Sequence, residues 1–121
     1  MKKEGPSAGI ALVTALVSLA TGQRVDPHLA MTGEVTLTGR IMGVGGIKEK
    51  MLGAQRSGIR HICLPEENRF DYEELDERLK STFDSVQFFS RYEDLYQFLF
   101  HQHQFDVASS QTESRASLPP A

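Results

Sequence analysis

Between Ile10 and Ala20 the chain is apolar at Ile10, Leu12, Val13, Leu16, Val17 and Leu19. This spread predicts a helix over residues 7–21, apolar on most faces and buried in a core. The run is too short for a membrane span and is interrupted by Thr14 and Ser18. Gly22 is placed to end it. Residues 29–38 mix β-branched and polar side chains in partial alternation and predict a strand, after which Gly39 turns the chain into an extended stretch over 40–44. Gly45 and Gly46 break that stretch, and residues 48–56 predict a short helix with Met51, Leu52 and Ala54 on its apolar side. A strand over 59–64 follows Gly58 and closes at Pro65. Beyond it come a charged amphipathic helix over 71–83, a short strand over 86–89 and a final helix over 92–100. Helices interleaved with strands favour an α/β (mixed α+β) class.

Composition adds little to this picture. Apolar residues make up 40% and charged residues 24% of 121, near the globular average, and the net charge of −3 gives no reason to expect nucleic acid as a ligand. The single cysteine, Cys63, has no internal partner and lies in the apolar run Ile62-Cys63-Leu64, so it reads as a buried strand thiol. Tyr92, Tyr96, Phe98 and Phe100 could offer a stacking surface, but at helical spacing they read as core. His101-Gln102-His103 lacks the further ligands that a metal site needs. The segment 103–121, rich in Gln, Ser and Thr, is expected to be a disordered tail after a domain spanning 1–102.

Candidate chemistry sits at two glycine-flanked places. In Gly5-Pro6-Ser7-Ala8-Gly9 the serine is expected at or just inside a helix N-terminus, where Pro is tolerated and Ser is a favoured cap. The same position would set free backbone N–H groups and the positive end of the helix dipole beside a hydroxyl, which suits an oxyanion forming on an attacked carbonyl. In Gly45-Gly46-Ile47-Lys48-Glu49-Lys50 there are two lysines. They project about 200° apart on a helix, so at most one serves a given site. A lysine there is ordinarily a solvated charge, but burial would disfavour the ammonium and leave an amine able to take a proton from serine, as in serine–lysine dyads. The glycines of Gly43-Val44-Gly45-Gly46-Ile47-Lys48 could suggest a phosphate cradle, but the P-loop spacing and its hydroxyl are missing.

These two blocks, with Ala30-Met31-Thr32-Gly33-Glu34-Val35-Thr36-Leu37-Thr38-Gly39 between them, resemble in order and spacing the proteolytic domain of the ATP-dependent Lon proteases, from about Lys3 to Phe100. The resemblance implies a Lon-like fold with helices packed on a small mixed sheet, incomplete at its N-terminus. It implies Ser7 as nucleophile and Lys50, the second lysine of its block, as base, with Thr32 hydrogen-bonded to the lysine amine in support. It also implies ATP-dependent endopeptidase action on unfolded or damaged proteins within a ring-shaped homo-oligomer. ATP and magnesium would belong to an ATPase domain absent from this chain, which is expected to carry neither cofactor nor metal. No membrane or nucleic-acid contact is expected of this segment. The implied compartment is the mitochondrial matrix, or the cytoplasm if the source is bacterial. The ending Ser117-Leu118-Pro119-Pro120-Ala121 disfavours a peroxisomal address.

Two positions depart from the family pattern. Glu4 stands where aspartate is usual, and Gly43 stands where proline is common, a change expected to loosen the approach to the lysine loop. The family's proteolytic domain extends well upstream of the serine, so the chain reads as a fragment with exposed sheet edges and a partly uncovered helix. A catalytically inactive assembly module retaining the fold is the alternative function.

Overall fold

The computed structural model describes residues 7–102; Glu4 and the segment 103–121 lie outside them. Among the described residues six strands divide between two three-stranded sheets, confirming the mixed α/β class. Strands β1 (Ser7–Gly9), β3 (Glu34–Thr36) and β4 (Ile41–Met42) form an antiparallel sheet in the order β1-β3-β4. Strands β2 (Leu29–Met31), β5 (His61–Pro65) and β6 (Ser85–Phe89) form a parallel one in the order β2-β5-β6. The helices are α1 (Ile10–Thr21), α2 (Ile47–Arg56), α3 (Arg69–Glu73), α4 (Glu77–Lys80) and α5 (Tyr92–Tyr96).

The strand expected over 29–38 is two strands in different sheets, and the break falls at Thr32-Gly33. Gly33 has φ +137°, a value that side-chain-bearing residues rarely adopt. A Cβ added there would stand 3.0 Å from the Pro65 Cγ, 3.3 Å from the Ile41 Cγ2 and 3.5 Å from the Ile10 Cδ1. The Gly33 carbonyl accepts the Ile10 N–H at 3.0 Å, and the Thr32 N–H donates to the Cys63 carbonyl at 3.1 Å. The crossing is thus bonded to the start of α1 on one side and to the middle of β5 on the other. A second tie links the sheets where Ile41 N–H donates to the Ser90 carbonyl and Tyr92 N–H to the Gly39 carbonyl. With β1 and β4 on its two sides, β3 is no open edge.

Central strand β5 is buried from Ile62 through Pro65, as a parallel strand covered on both faces should be. Ile62 and Leu64 join Met51 of α2, Leu79 of α4 and Phe83 in one cluster. Cys63 belongs to the other, with Ile10, Val35, Ile41, Leu95, Leu99 and Phe100. The aromatic set of the last helix is core, as its spacing predicts: Phe100 is fully buried and its ring lies 5.2 Å from that of Tyr96. After Tyr96 the helix widens into a π-helical turn, Gln97–Gln102.

Two other elements differ from expectation. Helix α1 starts at Ile10, not Ser7, and ends as expected at Gly22, which is left-handed at φ 73° and donates its N–H to the Ser18 carbonyl. It is not enclosed: Ile10 and Thr14 face the core, with the Thr14 hydroxyl 2.7 Å from that of Tyr92, while Leu12, Leu16 and Leu19 are exposed on the opposite side. The amphipathic stretch 71–83 is two short helices. Its apolar side chains Tyr72, Leu75, Leu79 and Phe83 all reach the β5 cluster, but Asp76 is extended at the start of α4, and the Lys80 ammonium takes up the Glu73 carbonyl at 3.2 Å.

Gly33→Ala should destabilise the chain by about 2–4 kcal/mol, combining left-handed strain with overpacking against Pro65 and Ile41. Gly22→Ala, also at positive φ but with nothing within 4 Å, should lose only about 1–2 kcal/mol. Urea unfolding of both variants measures the difference; equal losses would refute the close-crossing account.

Candidate active site

The antiparallel sheet decides where the three expected site residues stand. Because Gly9 pairs with Glu34 and Glu34 with Met42, the end of β1, the start of β3 and the end of β4 share one end of the sheet. Thr32, the loop 43–46 and the start of α1 therefore all gather there. Ser7 is in β1, opposite Thr36, two residues or about 7 Å back along the strand. It is a strand residue and not a helix cap, which corrects the sequence expectation: Gly9 holds the N-cap position of α1 and the Ile10 N–H is committed to Gly33. Thr32 is half-buried at the crossing between sheets.

Lys50 stands on the first turn of α2. Gly46, left-handed at φ 70°, is the N-cap, and the Lys50 N–H closes the first helical bond on its carbonyl at 3.1 Å. Ile47 and Met51 are the buried side chains of this helix, each contributing about 1.5–3 kcal/mol by burial. They fix which side of α2 faces the core. Lys48, Glu49 and Lys50 are all exposed. The burial expected to favour a neutral Lys50 is thus not supplied by the described residues, and exposure does not separate it from Lys48.

The approach to this helix is held by residues that sequence reasoning passed over. Directly after β5, the 3-10 turn Glu66–Asn68 lies against the loop 43–46. Asn68, only 3% exposed, accepts the Val44 N–H on Oδ1 at 2.9 Å and donates from Nδ2 to the Val44 carbonyl at 2.8 Å and to the Asp71 carboxylate at 2.9 Å. Glu67 accepts the Gly43 N–H at 2.7 Å and pairs with Arg40. Each neutral bond contributes about 1 kcal/mol net, and losing one partner of a buried pair costs about 1–3 kcal/mol. Gly43 is therefore not a loose point: its N–H, which proline would lack, is a bonded donor. A polar pair at the carboxyl end of a fully buried parallel strand was the available signal, since that end is where α/β sheets present functional groups.

Comparison with known proteins covers all of the described residues. The model of the Lon protease (S16) C-terminal proteolytic domain matches residues 1–102. The chain belongs to this family. It is similar to a Lon protease of Fusobacterium nucleatum, 46% identical over 98 residues, which are 81% of this chain and 13% of the relative. A mitochondrial Lon protease homolog of Drosophila melanogaster is 51% identical over 98 residues, again 81% of this chain and 10% of the relative. Lon protease 1 of Borreliella burgdorferi is 54% identical over 79 residues, 65% of this chain and 10% of the relative. The chain thus spans about a tenth of the length of the relatives it matches. Those relatives include both bacterial and mitochondrial proteins.

Cys63 has the character of a packing residue in this Lon-family core. Burial pushes its thiol up to about 12, so the sulfur is protonated at neutral pH and lacks the thiolate that reacts. Iodoacetamide should therefore leave Cys63 unmodified in the folded chain and alkylate it only in denaturant, read by intact mass. Alkylation of the native chain at the rate of a free thiol would refute this.

Glu67 behaves oppositely: the Gly43 N–H, then the Arg40 guanidinium, hold its carboxyl below the usual carboxylate range. A depressed folded value means that its contribution is present above the unfolded midpoint of about 4.3 and is lost as pH falls through the folded one. A carboxyl carbon NMR titration should find Glu67 still mostly ionised at the unfolded midpoint of about 4.3.

Proposed function

We propose that this chain carries the catalytic residues of a Lon-type serine endopeptidase, with Ser7 as nucleophile, Lys50 as base and Thr32 as support for the lysine. The observation that carries the reading is a single family match running unbroken through all three motif blocks, from residue 1 to 102. The sheet topology is compatible with it, since β1, the crossing at Thr32 and the loop feeding α2 belong to one antiparallel unit.

In the proposed reaction the neutral Lys50 amine takes the Ser7 hydroxyl proton as the oxygen bonds to a peptide carbonyl carbon. Backbone N–H groups near the start of α1 stabilise the resulting oxyanion. Collapse breaks the C–N bond, the lysine ammonium passes its proton to the leaving amine, and an acyl-serine remains. Water, deprotonated by the same amine, attacks that ester, and the proton returns to Ser7 as the acid departs. Desolvation of Lys50, exposed in this chain, must come from bound substrate or from further protein packed over α2. The proposed substrates are unfolded or damaged proteins delivered by ATP-driven translocation in a homo-oligomeric ring. The nucleotide and magnesium would be bound outside this chain, and the compartment is proposed as the mitochondrial matrix, or the cytoplasm for a bacterial source.

The exposure of Lys50 also favours a second reading, in which the chain alone is an inactive assembly module. A peptidyl fluorophosphonate separates the two. Under the first reading the probe labels Ser7, Ser7→Ala and Lys50→Ala abolish labelling, and Lys48→Ala leaves it within about twofold. Absence of labelling in the isolated chain, with labelling in the intact protein, supports the inert-module reading for the isolated chain. Full peptide cleavage by a Ser7→Ala form of the intact protein refutes the nucleophile assignment.

A further inference from the structure

We propose that Asn68 is a positioning residue for the Lys50 base, acting through the backbone of Val44; this rests on Lys50 being the base. The Asn68 amide meets Val44 as a neighbouring β-strand would, accepting its N–H and donating to its carbonyl. Its second Nδ2 hydrogen is bonded to Asp71 Oδ2. Exchanging the amide oxygen and nitrogen would set donor against donor at Val44 and acceptor against acceptor at Asp71, so the orientation is determined. No other side chain of this size supplies the set: aspartate lacks the donor, and leucine lacks both partners.

The leverage follows from the short path to the helix. Between the clamped Val44 and the first residue of α2 stand only Gly45 and Gly46, the residue type that holds its own backbone least. Gly46 must be left-handed to start the helix, and its carbonyl receives the Lys50 N–H. Buried Ile47 and Met51 fix the rotation of α2 about its axis. The clamp at Val44 fixes where along that axis the first turn begins. Because the Glu66–Asn68 turn continues directly from Pro65 of buried β5, the reference point is the most enclosed strand of the parallel sheet. Glu67 supplies a second jaw at Gly43, and the fit is close: a Cβ on Gly43 would lie 3.1 Å from the Glu67 Cβ and 3.2 Å from the Asn68 Oδ1.

The test is Asn68→Asp in the intact protein. This change keeps the acceptor for Val44 N–H and removes the donor to its carbonyl. Peptide cleavage is read as kcat and KM across pH, and amide exchange is read at Gly43 and Val44. The expected result is a fall in kcat on the order of tenfold to a hundredfold, KM within about twofold, and a displaced acid limb of the kcat profile, in protein whose circular dichroism is unchanged. An unchanged kcat and pH profile, with exchange at Val44 accelerated, would reduce the clamp to loop stability and overturn the proposal. If Asn68→Asp does not fold, Gly43→Ala replaces it, since the added Cβ presses on the Glu67 Cβ and the Asn68 Oδ1 and parts the jaws while leaving the Asn68 donor in place; the same kcat loss supports the proposal and an unchanged kcat overturns it. Lys50→Ala is run alongside. Should it retain cleavage, the base assignment fails and the proposal with it. Should it be inactive while Asn68→Asp works at full rate, only the positioning role fails.

Discussion

The structure depends on one place where backbone must pass without a side chain. At Gly33 the chain leaves the parallel sheet and enters the antiparallel one, with α1, β4 and β5 all within contact of the missing Cβ. A side chain there would separate Ile10, Ile41 and Pro65, which bring the two sheets together. The same residue gives its carbonyl to the first amide of α1, so the helix after the serine motif is registered on the crossing that follows Thr32. Sheet packing and site construction are thus one constraint.

Fold class was legible because burial follows composition along the chain: the apolar stretch 62–64 is the most enclosed strand, and the aromatic periodicity of 92–100 is a core face. What pattern could not give was the partner of each segment. Residues 29–38 read as one strand because β-branched alternation persists through Thr32-Gly33, while the sheet exchange there is set by contacts with Ile10, Ile41 and Pro65, remote in sequence. The stretch 71–83 has helical spacing throughout, yet it bends because a lysine four residues into the second half finds the carbonyl that ends the first. Packing at the first place and a side-chain-to-backbone bond at the second interrupt the local periodicity.

The site was legible as motifs and not as an environment. Spacing selected Ser7, Thr32 and Lys50 through a resemblance, and the topology gathers their segments around one small sheet. Ser7 lies in a strand where capping preference suggested a helix end, since pairing with Thr36 outweighs the pull of a favoured N-cap. Glu67 and Asn68 escaped notice because their importance lies in bonds to main-chain atoms of Gly43 and Val44, partners that a polar pair after a buried strand does not name. The exposed side of α1 likewise carries the same leucines as a buried one.

The strand order also dictates an order of assembly. Leu29 pairs with His61 across roughly thirty intervening residues, a closure that must bring β3, β4 and α2 inside its loop before it returns any contacts. The β3–β4 hairpin joins residues only a few positions apart, so local pairing can precede the parallel sheet at small entropic cost. The lysine-bearing helix is enclosed by that larger loop. Its final placement therefore waits on β5 and the turn after it, which carries the side chain bonded to Val44.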